Sequence, residues 1–110
     1  MKVLDMNRYV QILTTTATKR HATGMANTLV AKRLAACVQV VGPIISTYRW
    51  KGKVETSKEW LLVIKSQRKV YAKVEKEIKR MSRYALPEIT VTDIFGSMEY
   101  LSWIASNTIK

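Results

Sequence analysis

ACVQVVGPIISTYRWKGKVETSKEWLLVIK, residues 36–65, is rich in β-branched and aromatic residues and turns at Lys51 and Gly52. Such a run reads as two strands folded back on one another in a long hairpin. The first strand covers Ala36 to Val41, is interrupted at Gly42 and Pro43, and resumes at Ile44 through Trp50. Proline donates no ladder hydrogen bond and glycine tolerates a bulge, so this pair predicts a bend near a sheet edge. The return strand runs from Lys53 to Lys65, with a polar Thr56–Lys58 stretch expected to loosen the pairing at its middle.

The flanks supply the remaining elements. Arg8 to Thr15 alternates as a strand, and Thr18 can cap a helix running to about Leu34. Ala22, Met25, Ala26, Leu29, Val30 and Leu34 then share one helical face. A second helix is predicted over Arg68 to Met81. Its apolar side carries Val70, Tyr71, Val74, Ile78 and Met81, and another side carries Lys69, Lys73, Lys76 and Arg80. Pro87 opens a fourth strand, Glu88 to Phe95, and Ser97 caps a short terminal helix with Met98, Leu101, Ile104 and Ala105.

The order β-α-β-β-α-β plus a C-terminal helix predicts an α+β, ferredoxin-like sandwich with two helices on one face of an antiparallel sheet. Its other face has only the terminal helix, or another subunit, to cover it. Trp50 and Trp60 sit on a hairpin longer than two short helices can cover. Oligomerisation is the physical expectation.

With 110 residues and 47% hydrophobic content, the chain 1–110 reads as a single domain able to bury a core without staples. One cysteine excludes an intrachain disulfide framework and, within one chain, a zinc site built on several cysteines. No apolar run approaches the ~20 residues of a membrane span, and the N-terminal MKVLDMN lacks a secretory apolar core. A cytoplasmic protein is the expectation. The net charge of +11 stands apart. It attracts polyanions such as nucleic acid, or it simply keeps a solvated surface soluble. The basic residues are spread along the sequence, with no basic tail.

Few residues carry chemistry of their own. Cys37 is either a soft thiolate ligand for copper or a small buried strand residue. His21, the only histidine, lies in the first turn of the first helix. There is no Ser-His-Asp or Cys-His pairing, no HExxH and no phosphate-cradling glycine loop, so the chain does not read as an enzyme. Tyr48 to Lys53 mixes aromatic and basic residues in a way that suits stacked bases, or equally an ordinary hairpin tip. Glu59, Lys65, Tyr84 and Glu88 are polar groups set beside apolar strand residues. Glu59 and Lys65 share a strand at even spacing and so a face. A lysine between two carboxylates keeps all three charged, as a salt-bridge network or as a ligand site.

Several stretches together resemble the CutA family of divalent-cation tolerance proteins: KRLAACV at 32–38, YRWKGKVE at 48–55, LLVIK at 61–65, YALPEI at 84–89 and EYLSW at 99–103. They occur in order across about residues 8–104. The resemblance implies a ferredoxin-like homotrimer whose hairpins pair between subunits. It also implies a role in copper and divalent-metal tolerance and response to metal ion, without enzymatic activity. Carried over position by position, Cys37 matches the family's cysteine as a metal ligand. Trp50, Glu59, Lys65, Tyr84 and Glu88 match residues near its inter-subunit cleft. No cofactor is required; a weakly bound copper or other divalent metal is the expected cargo. Ser82 and Arg83 stand where the family usually has His-Pro, removing an imidazole and adding a positive charge. The architecture is also similar to that of PII-type signalling proteins, so a trimer binding a small anion is the competing expectation. A basic polyanion-binding protein is the third.

Overall fold

The computed structural model describes residues 8–109. The N-terminal segment read above as lacking a secretory core lies outside the described residues. Strand β1 (Tyr9–Thr16) leads into helix α1 (Lys19–Ala31), the hairpin β2 (Cys37–Trp50) and β3 (Lys53–Gln67), helix α2 (Tyr71–Met81), strand β4 (Thr90–Asp93) and helix α3 (Met98–Ser106). The sheet is antiparallel in the order β2-β3-β1-β4.

Alternation along the strands sends Val10, Ile12, Leu62 and Ile64 to one face, where Ala22, Met25 and Leu29 of α1 and Val74 and Ile78 of α2 close over them. Each of the large aliphatic side chains in this core contributes about 1.5–3 kcal/mol by leaving water. Of the three described helices only α3 packs on the opposite face. Its Leu101 and Ile104 pack on Tyr9 and Ala36 at one end of the sheet.

Helix α1 starts as the sequence predicts, with the Thr18 hydroxyl accepting from the His21 amide at 3.1 Å. It ends three residues earlier than expected. Arg33 adopts φ 58°, the Leu34 amide reaches back to the Leu29 carbonyl at 3.0 Å, and the Arg33 amide bonds Val30. This double closure is a Schellman stop, a place usually marked by glycine. An arginine there gives no signal in the sequence. Its guanidinium bonds the Ser106 carbonyl at 2.8 Å and its own carbonyl accepts from Ile109, tying the end of the described chain to this turn.

The hairpin differs in one respect. Pairing runs without a break through Thr47↔Thr56 and Ser46↔Ser57, so the polar middle of β3 does not loosen it. The irregularity lies instead between Val41 and Ile44 of edge strand β2, where the register shifts. Gly42 lies against the Trp60 ring, and a Cβ there would meet ring carbon Cδ1 at 2.5 Å. At the tip, Lys51 (φ 51°) and Gly52 (φ 79°) both take left-handed conformations, the two-residue turn that matches strand twist. Strand β4 is shorter than predicted, which leaves Glu88 in the loop before it.

Beyond the shift the hairpin becomes an arm. Ile45 is 71% exposed and Val54 65%, whereas Leu62 and Ile64 at the base are fully buried. The molecule measures 53 × 26 × 22 Å, elongated well beyond its sandwich.

Candidate functional site: the groove beside the hairpin arm

Where arm meets sandwich, the outer face of the sheet turns from apolar to polar. Thr15 from β1, Ser46 from β2 and Glu59 from β3 point the same way. The loop from Ser82 to Ile89 crosses above them, its start held where the His21 ring Nε2–H donates to the Met81 carbonyl at 2.9 Å. The result is an open groove of about 830 Å³. Ser46 to Trp50 form one wall, Tyr84 to Glu88 the other, and Thr15 and Glu59 line it as well.

Glu59 is the centre of this groove and is 8% exposed. The Tyr84 hydroxyl donates to its Oε2 at 2.7 Å. Burial on its own raises the carboxyl, but hydrogen bonds from Ser46, Tyr84 and Thr15 together outweigh it and hold Glu59 below its ordinary range. The carboxylate is therefore ionised at neutral pH. The Tyr84 phenol is pushed strongly upward by burial and by the adjoining Glu59, so it remains a donor. Arg49 and Trp50 stand on the arm side, with Trp50 39% exposed. Along the arm floor, the Tyr48 hydroxyl and Ser57 Oγ are 3.2 Å apart.

Trp50, Glu59, Tyr84 and Glu88 thus line one groove within one chain. Lys65 and Cys37 do not. Lys65 shares the face of Glu59, as even spacing requires, but six residues of strand separate them by about 20 Å. Its ammonium bonds Gln39 Oε1 at 3.0 Å, so a lysine held between Glu59 and Glu88 is not found inside a single chain. Cys37 pairs with Lys65 at the base of the hairpin and is half-buried rather than buried. Tyr100 of α3 lies against it; burial first, then the neighbouring thiol, raises that phenol. Among the described residues no three His, Cys, Asp or Glu side chains of one chain converge as a metal site. Thr15 and Ser46 escaped the sequence reading, and Arg49 entered it only as part of the aromatic-basic stretch at the hairpin tip. Thr15 was legible from strand alternation, but Ser46 joins Glu59 only because the Val41/Ile44 shift sets its register.

The site is thus an ionised carboxylate ringed by the hydroxyls of Ser46, Tyr84 and Thr15, in an open groove of a small antiparallel α+β protein. Comparison with known proteins places this fold. The CutA1 divalent ion tolerance protein profile matches residues 10–107, and the chain belongs to this family. It is similar to the divalent-cation tolerance protein CutA of Thermus thermophilus, 38% identical over 98 residues, covering 88% of this chain and 95% of that one. A solved structure of the Thermus thermophilus protein superposes with a TM-score of 0.89 at 37% identity, covering 91% of this chain and 98% of the other. Rice CutA1 does so with a TM-score of 0.91 at 30% identity, covering 96% and 97%. An Archaeoglobus fulgidus structure described as a periplasmic divalent cation tolerance protein is 34% identical, with a TM-score of 0.87 and coverage of 90% and 97%. The family function is divalent-cation tolerance, and the names of these relatives describe tolerance rather than catalysis. A periplasmic relative means that family membership does not fix the cytoplasmic location expected above. Among the described residues no helix is long and apolar enough to cross a membrane.

Proposed function

We propose that this chain acts as a non-enzymatic homotrimer of ferredoxin-like subunits that captures a divalent cation, copper included, at grooves completed by neighbouring copies. The observation that carries the reading is the groove's position: its ionised Glu59 sits at the root of an arm whose apolar Ile45 and Val54 have no cover in one chain. The strand order β2-β3-β1-β4 supports the ferredoxin-like assignment. Glu59 and Glu88 offer hard oxygen donors in the groove, whereas Cys37, a soft donor, lies outside it at the other end of the hairpin. In this reading Glu59 and Glu88 supply two of the donors and a neighbouring copy supplies the rest.

Calorimetric titration with Cu²⁺ tests this. Saturable binding is expected, weakened at least tenfold by Glu59→Gln with the native mass unchanged. Undiminished affinity in that variant, or no binding to the wild type, overturns it. A second reading, a PII-like sensor of a small anion, is favoured by Arg49 in the groove wall and by the +11 charge. Binding of inorganic phosphate that Arg49→Ala abolishes, with no response to Cu²⁺, selects it.

A further inference from the structure

The charge that looks scattered along the sequence is gathered by the fold. Segments 19–33 and 68–83, which hold α1 and α2 with their flanking turns, carry eleven Lys or Arg and two Glu, a net +9 of the chain's +11, although Arg68 is paired with Asp93 of β4 and Arg33 reaches the Ser106 carbonyl of α3. Both helices pack on the same face of the sheet, so their outer sides form one surface pointing away from it. Neither acid on that surface is free. Glu75 accepts from Lys79 at 3.1 Å and from the Tyr71 hydroxyl at 2.7 Å, and Glu77 lies between Lys32, at 2.7 Å, and Arg80. Burial of Val70, Val74 and Ile78 turns Lys69, Lys73, Lys76 and Arg80 outward in a row. At 1.5 Å per residue the row is about 16 Å long.

We infer that the outer face of α1 and α2 is a docking surface for the phosphate backbone of double-stranded nucleic acid, bound without regard to sequence. The charge complementarity is the argument for a polyanion, and the composition of the face selects which. A duplex strand offers one phosphate per about 3.4 Å of axis, so the row spans about five. Binding of single strands relies on exposed aromatic rings for stacking. The exposed aromatics among the described residues, Tyr48, Trp50, Phe95, Tyr100 and Trp103, belong to the arm, α3 and the loop before α3. A membrane-surface helix buries an apolar side among the lipids, but the apolar side of α2 is already buried in the core. Val30 is the one large hydrophobic residue exposed on either helix of this face among the described residues. The proposal is independent of what fills the groove.

Fluorescence anisotropy with a labelled 24-base-pair DNA duplex, in 50 to 200 mM NaCl, tests it. Micromolar affinity is expected at the low-salt end, with log K falling against log salt at a slope of about −4 to −5. The variant Lys69→Ala/Lys73→Ala/Lys76→Ala is expected to weaken binding at least tenfold and to make the slope shallower by about 3. These side chains are exposed, so circular dichroism and native mass stay as in the wild type. Lys51→Ala/Lys53→Ala at the hairpin tip is expected to bind like the wild type. Equal losses from both variants, tighter binding to a single strand of the same length, or tighter binding to phosphatidylserine vesicles than to the duplex each overturn the inference.

Discussion

The base and the arm of the β2–β3 hairpin share one strand pair and one ladder, yet they are held by different things. At the base, Ile64 faces Ile12 across the ladder and is sealed beneath α1 and α2. In the arm, Ile45 faces Lys58, with no helix above it and most of its surface in water. Backbone pairing is therefore no guide to where a strand draws its stability. The base is a core element that one chain completes. The arm leaves its apolar side chains in water, and the groove lies at its root. The Val41/Ile44 shift marks the boundary between them.

Truncation on either side of the boundary should separate the two regions most sharply. Ile64→Ala leaves a cavity in a sealed core and is expected to cost about 2–5 kcal/mol in urea denaturation. Ile45→Ala is expected to leave the fold of the subunit intact and to weaken association instead, read as a mass that falls on dilution. If Ile45→Ala destabilised an isolated subunit as much as Ile64→Ala does, the distinction between base and arm would collapse.

A smaller effect is expected at the root of the arm. Tyr84→Phe removes the hydroxyl that donates to Glu59 and should cost about 1 kcal/mol at neutral pH. The sign of its pH dependence follows from the lowered Glu59 carboxyl. A depressed folded-state value contributes stability that is present above the unfolded carboxylate range, near pH ~4.3, and lost as pH falls through the folded value. Tyr84→Phe should raise that folded value. The wild type's advantage over the variant should then shrink as the pH is lowered through this window. An advantage that is constant or grows toward acid would mean that Glu59 is not held ionised by this contact.

Much of the base was legible in the sequence, and less of the arm. The alternation of residues 8–15, the apolar run at 61–64 and the helical spacing of Val70, Val74 and Ile78 define the elements and the core they share. Arg33 ended α1 without the glycine that usually announces such a stop. The Gly42–Pro43 pair did announce an irregularity at an edge, but only the structure shows Trp60 filling the space beside Gly42. The groove was half visible. Glu59, Tyr84, Glu88 and Trp50 stand out as polar or aromatic residues at strand and loop positions. Lys65 could be given a face by its spacing but not a distance, and Ser46 depends on a register shift whose place the residue types do not mark. The basic row on α2 shows in its helical period, whereas its union with α1 requires the sheet that both helices share.

Light scattering on the purified protein at micromolar concentration measures most directly whether other copies of the chain complete the arm. The expected result is a single species at three times 12.6 kDa, the mass of one chain. A well-folded species at 12.6 kDa, stable with its arm in solvent, would contradict it.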